Sequence, residues 1–298
     1  MRIGYQGIQG SYSEMTVQDY LQDHQILQEK AELRGFSAFN LITSSLLSEE
    51  LDLAILPVEN STTGLITRTL DLFRYQPICG VQVLYQPVRH SLWGLPGSEI
   101  NQIRQVYSHP EALSQCQQFF QDHPWIEPIS YTDTAGAALM VSESKNPEIA
   151  ALSSPRAGLL YQLEALESEI QSELTNTTKF FATEKLHLEQ KSYGDYLNEW
   201  RDQSPERTRL LLYVETLHQP GALAKLLNAF QLFDCNLQSL DARPIKDKPF
   251  NYGFFVEVEI GNLSMDMNVF WSTLSYATAY LQVIACYEPL EILMDYLD

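Results

Sequence analysis

At 298 residues the chain is too long for one ordinary domain and suits two. Its formal net charge of −19 argues against nucleic acid and anionic membranes, which need a basic face, but leaves room for a small anion held by local cations and helix N-termini. No run approaches the roughly 18–20 apolar residues of a membrane span, and the start at Met1–Tyr5 reads as a strand, not a signal peptide.

Four scattered cysteines (Cys79, Cys116, Cys235, Cys286) have no redox or metal spacing and predict reduced thiols in the cytoplasm. The histidines form no HExxH-like pair, so no bound metal is expected.

In chain order, Ile3–Tyr5 reads as a strand and Ser13–Leu21 as a helix, with Ser13 as its cap. Leu51–Val58 is a buried strand, and Val81–Leu84 and Ser91–Gly94 are further strands. Pro110–Phe120 is a helix with proline in its first turn, Thr134–Ser142 another helix, and Ile149–Leu152 a strand. Strands alternating with helices predict an α/β sheet with sites at strand carboxyl ends. Residues 188–207 are polar and charged and end in Ser204-Pro205, which predicts a linker between a domain at 1–187 and one at 208–298. From 208 the pattern restarts: strand Arg209–Thr216, a helix from Pro220-Gly221 to Phe233, strands Asn236–Pro244 and Asn251–Ile260, helix Met265–Tyr280, and a strand near Gln282–Tyr287. This β-α-β-β-α-β order predicts a ferredoxin-like fold.

Three segments could carry chemistry. Gly4–Glu14 joins a strand to a helix through a glycine-rich turn suited to an anion, without nucleotide-binding spacing. Pro57–Gly64 places a run of polar side chains (Glu59, Asn60, Ser61, Thr62, Thr63) at a strand's carboxyl end, more than a helix cap needs. Thr175–Phe181 sets three threonines, Asn176 and Lys179 before an apolar strand. A weaker element, Ser108–Glu111, opens a helix, where His109 reads as a cap. Together these predict a small, anionic, oxygenated ligand without naming it.

In this order the segments resemble prephenate dehydratase. The resemblance rests on Gly7–Ser13, the full Pro57–Gly64 match, Ser108–Leu113 and Asn176–Phe180. In the second half it rests on Gly221–Leu227 and Asp241–Pro244, which resemble ACT-domain effector motifs. Ile8 and Ser11 depart from the family's Pro and Thr, Lys179 from its Arg, and Asp241-Ala242 from its Glu-Ser.

The resemblance implies a two-lobed, periplasmic-binding-protein-like α/β module that converts prephenate to phenylpyruvate, water and carbon dioxide without a cofactor, followed by an ACT domain. It implies Thr178 as the donor to the leaving hydroxyl. Ser11, Asn60, Ser61, Thr62, Ser154 and Lys179 are implied as substrate-binding residues. Phenylalanine is the implied effector, held near Gly221, Ala222, Leu223, Asp241, Arg243 and Pro244 between copies of a homodimer or homotetramer. Arogenate as substrate, and a non-catalytic amino-acid sensor, stay open as alternatives.

Overall fold

The computed structural model describes residues 1–246, 248–261 and 266–289. The first elements in chain order are β1 (Arg2–Gln6), α1 (Tyr12–Asp23), β2 (Glu32–Phe36), α2 (Phe39–Leu47), β3 (Leu53–Asn60), β4 (Gly64–Leu65), α3 (Thr67–Phe73), β5 (Ile78–Pro87) and β6 (Ser91–Gly94). There follow β7 (Gln105–Ser108), α4 (Pro110–Gln115), α5 (Gln117–Asp122), β8 (Glu127–Ser130), α6 (Thr134–Ser144), β9 (Ile149–Ser153), α7 (Pro155–Leu160) and β10 (Glu164–Glu167). The last are β11 (Thr177–Lys185), α8 (Tyr193–Gln203), β12 (Arg209–Thr216), α9 (Ala222–Leu232), β13 (Asn236–Ile245), β14 (Lys248–Glu259), α10 (Met267–Tyr276) and β15 (Thr278–Tyr287). The chain forms two compact units: Met1–Thr69 with Leu84–Phe180, and Leu70–Val83 with Phe181 onward.

The first unit holds two sheets. In one, β1 lies between β2 and β3, all parallel, with β4 folded back on β3. Ala54, Ile55 and Leu56 of β3 are fully buried, as expected of a parallel strand covered on both faces. The other sheet runs β10-β6-β9-β7-β8, with β7 parallel to both its neighbours. Its core joins Leu92, Val106, Leu113, Phe119 and Leu152 on one side. Trp93, Ala137, Ala138 and Ala151 fill the other, where small α6 side chains let the helix approach β9. Gly158 touches this core: a Cβ there would stand 2.1 Å from the Trp93 ring.

In the second unit the order β13-β14-β12-β15 is antiparallel, with α9 and α10 supplying buried Leu226, Phe230, Phe270 and Leu274. This is the expected ferredoxin-like arrangement. Residues 70–83 belong here: Gln282 donates to the carbonyls of Phe73 and Gln76, and Gly80 pairs with Ala285.

Several local expectations are corrected. The stretch 188–207 contains helix α8, started by a capping box between Ser192 and Asp195 and seated through buried Leu197 and Trp200. Two apolar anchors three residues apart are too narrow a stripe to stand out among so many charges. The helix expected over Pro110–Phe120 breaks at Cys116 (φ −115°) into α4 and α5. Ser11, not Ser13, caps α1 and accepts from the Glu14 N–H. The last helix ends at Tyr276, and Tyr280 lies in β15; Met265, its expected start, lies outside the described residues.

Candidate active site

In the first unit, strand ends and helix starts surround a cavity of about 340 Å³. Gln6 ends β1 and Gly7 follows it, Asn60 ends β3, His109 follows β7, and Thr132 and Asp133 follow β8, so the carboxyl ends of four strands from two parallel pairs point at it. Asn176 and Thr178, at the start of β11, close one wall.

Helices α1 and α6 begin at the cavity. Ser11 caps the first, and Asp133 caps the second by accepting from Gly136 at 2.7 Å. Among the described residues lining the cavity there is no Lys or Arg. The lining does include the carboxylates of Glu111 and Asp133. The turn leading into α1 needs glycine: Gly10 sits at φ +86°, and a Cβ there would stand 2.9 Å from Ala157 of α7. The buried Glu14 carboxylate locks this turn by accepting from the Gly10 N–H at 3.2 Å and from the Arg156 guanidinium. Burial alone would raise its pKa, but the bonds from Arg156, Gln18 and Gly10 hold it below its ordinary value.

A continuous hydrogen-bond relay lines the wall, and its polarity can be deduced. The backbone N–H groups of Thr62 and Thr63 lie 3.0 and 3.1 Å from Asn60 Oδ1. A backbone N–H only donates, so that atom is the oxygen. Asn60 Nδ2 then donates to Asn176 Oδ1 at 2.7 Å and to Thr178 Oγ1 at 3.1 Å. Asn176, which is 1% exposed, passes the direction on, its Nδ2 donating to Gln115 Oε1 at 3.0 Å. Gln115 Oε1 also stands 3.1 Å from His90 Nε2, which must therefore carry the proton. The Thr178 oxygen accepts from Asn60, and its residue lines the cavity, so its own O–H is available to donate to a ligand there.

The structure sorts the expected site residues. Ser11, Asn60 and Thr178 line the cavity. Ser61 and Thr62 do not. Ser61 Oγ donates to the Thr175 carbonyl and accepts from the Thr177 N–H, clipping β3's end to β11's start, and the Thr62 side chain is exposed. Ser154 is fully buried, caps α7 and donates to the Gly10 carbonyl at 2.6 Å, so its hydroxyl has no reach to a ligand. Lys179 stands 3.9 Å from Glu59 and is not in the cavity wall. Successive strand residues face opposite ways, so Lys179 lies on the other face of β11 from Thr178, its side chain 13% exposed.

His109 caps α4, as read from the sequence. Tyr12, His90 and Gln115 were not singled out. Gln115 follows Glu111 by one helical turn and could have been found by that spacing, whereas nothing local marks His90.

The expected effector residues fall in the second unit. Gly221, in the left-handed conformation at φ +76°, opens α9 and with Ala222 and Leu223 lines a cavity of about 470 Å³. Asp241, Arg243 and Pro244 lie on β13 and do not line it.

Residues 3–187 match the family model described as prephenate dehydratase. The chain belongs to this family. A bifunctional chorismate mutase/prephenate dehydratase of Enterobacter agglomerans is 31% identical over 96% of this chain and 70% of its own length. Arogenate dehydratase/prephenate dehydratase 1 of Arabidopsis thaliana is 29% identical over 98% of this chain and 73% of its own. A prephenate dehydratase of Arthrobacter aurescens, solved with L-Phe, shares the fold at a TM-score of 0.79, with 21% identity over 97% of this chain and 90% of that one. The prephenate dehydratase reaction releases carbon dioxide and water and makes the ring aromatic. Among the described residues no helix is long and apolar enough to cross a membrane.

Proposed function

We propose that the relay-lined cavity is the catalytic site and that Thr178 is the donor to the leaving hydroxyl. In the reaction the bond from ring carbon to carboxylate breaks, carbon dioxide leaves, and the electron pair passes through the ring. The carbon–oxygen bond opposite then breaks, and the departing hydroxide, stabilised by the Thr178 hydrogen bond, takes a proton from solvent to become water. Aromatisation drives this change, so the protein's task is to hold the dianion, exclude bulk water and assist that oxygen. The observation that carries the reading is the 3.1 Å bond from Asn60 Nδ2 to Thr178 Oγ1, which leaves the threonine proton available for a ligand in the cavity. An oriented donor of this kind is worth on the order of 10²–10³ in rate. Ser11 and the N–H groups at the starts of α1 and α6 hold the substrate's carboxylates, with Gln115 as a further donor.

The test compares Thr178→Ala with Thr178→Ser. Alanine is expected to lower kcat by about 10²–10³-fold and serine to restore most of it. An alanine variant within about threefold of wild type removes Thr178 from the role.

Residues 208–298 form an ACT regulatory domain in this reading and 1–187 the catalytic domain. Phenylalanine binds where Gly221–Leu223 of one copy meets Asp241–Pro244 of another, which accounts for the two motifs lying apart in a single chain. A homodimer or homotetramer follows, and the four free cysteines favour the cytoplasm. Arogenate is a second substrate candidate, because Glu111 on the cavity wall offers a carboxylate to its ammonium.

A further inference from the structure

We propose that His90 is a positioning residue for the dehydratase reaction, clamping Gln115 so that its amide N–H₂ is aimed into the cavity. The inference rests on the reading of that cavity as the catalytic site and adds a residue that never needs to touch the departing oxygen.

The geometry is over-determined. Gln115 Oε1 accepts twice, from Asn176 Nδ2 at 3.0 Å and from His90 Nε2 at 3.1 Å. With both donors on the oxygen, the nitrogen of the same amide faces the other way, and Gln115 lines the cavity. Rotating the amide would bring its nitrogen donor against the Asn176 N–H₂, whose direction is itself fixed from Asn60, and would take the acceptor away from His90 Nε2.

His90 is itself held. It is 2% exposed, its N–H donates to Gln171 Oε1 at 2.8 Å, and its carbonyl accepts from the Ile170 N–H at 2.9 Å. Burial, opposed by the bond to Gln115, pushes the imidazole down to about 4, so the ring is neutral and carries one proton. The relay requires that proton on Nε2, which leaves Nδ1 bare. The Tyr12 hydroxyl donates to the Arg89 carbonyl and lies 3.1 Å from Nδ1, with the two rings edge to face. Burial raises the Tyr12 phenol well above its ordinary value and keeps it protonated. The wall is therefore one chain of donors and acceptors, anchored at one end by the N–H groups of Thr62 and Thr63 and at the other by His90.

The experiment is steady-state turnover of prephenate by His90→Met, His90→Gln, Gln115→Met and the His90→Met/Gln115→Met double variant of the full chain, with Thr178→Ala alongside. Methionine keeps bulk and loses the donor, whereas the glutamine amide reaches the Nε2 position. We expect His90→Met to lower kcat/KM by about 10–100-fold, His90→Gln to recover most of that loss, and His90→Met to cost nothing further once Gln115 is methionine. A histidine that merely filled space would give losses that multiply in the double variant, and that result overturns the proposal. Equal losses in His90→Gln and His90→Met also overturn it, even if the methionine variant is poorly folded. Full activity in Thr178→Ala would instead sink the reading of the cavity itself.

Discussion

Asn60→Asp is the sharpest perturbation of this site, because it changes hydrogen-bond polarity while nearly preserving shape. One carboxylate oxygen of the variant keeps the N–H groups of Thr62 and Thr63, at 3.0 and 3.1 Å in the wild type. The other oxygen replaces the donor that stands 3.1 Å from Thr178 Oγ1 and 2.7 Å from Asn176 Oδ1. An acceptor facing Thr178 draws its proton inward, away from the departing oxygen. Asn176 must turn its amide to answer, which sets oxygen against oxygen at Gln115 unless that residue turns as well. The expected loss is that of one preorganised donor, about 10²–10³ in kcat or about 3–4 kcal/mol, with little change in packing.

A second signature separates this from simple damage. Once protonated, the introduced carboxyl again offers an O–H donor to Thr178. Activity of the variant should therefore rise as pH falls through the pKa of that carboxyl, a limb the wild type lacks. The assay is the initial rate of phenylpyruvate formation over about pH 5 to 8, with thermal melts at each pH. A folded variant with kcat within about threefold of wild type, or with a flat profile despite a large loss, refutes the polarity argument.

Three other perturbations probe neighbouring claims. Ser154→Ala strips partners from the buried Gly10 carbonyl and Ala157 N–H; it should cost about 1–3 kcal/mol in chemical denaturation and leave KM for prephenate nearly unchanged, while a tenfold rise in KM would return Ser154 to the binding site. Glu14→Gln removes a carboxylate whose folded pKa is depressed; its contribution is full above the ordinary value of 4.5 and lost as pH falls through the lower folded value, so the stability gap to wild type should close on acidification, and a constant gap between neutral and acid pH would contradict this. Phenylalanine should inhibit turnover and raise the melting temperature, and Asp241→Ala should weaken both; calorimetry showing unchanged affinity in that variant would detach Asp241 from the effector site.

Local chemistry alone specified much of this protein. The buried run at Leu53–Val58, the proline-started helix at Pro110 and the β-α-β-β-α-β order after residue 208 follow from apolar periodicity, caps and turn residues acting over a few positions. The resemblance of ordered motifs reached the family. Charge runs misled where a helix needs only two buried anchors, as Leu197 and Trp200 show. Tertiary structure alone decided which polar side chains face the cavity. Ser61, Ser154 and Lys179 carry groups as suitable as those of Asn60 and Thr178, yet each is spent on a strand clip, a helix cap or a contact with Glu59. It also joined Asn60, Asn176, Gln115 and His90, which are far apart in sequence, into one relay. A hydrogen bond is directional and depends on both partners, so its direction at Thr178 is set by amides and backbone N–H groups that only the folded chain brings within about 3 Å of one another.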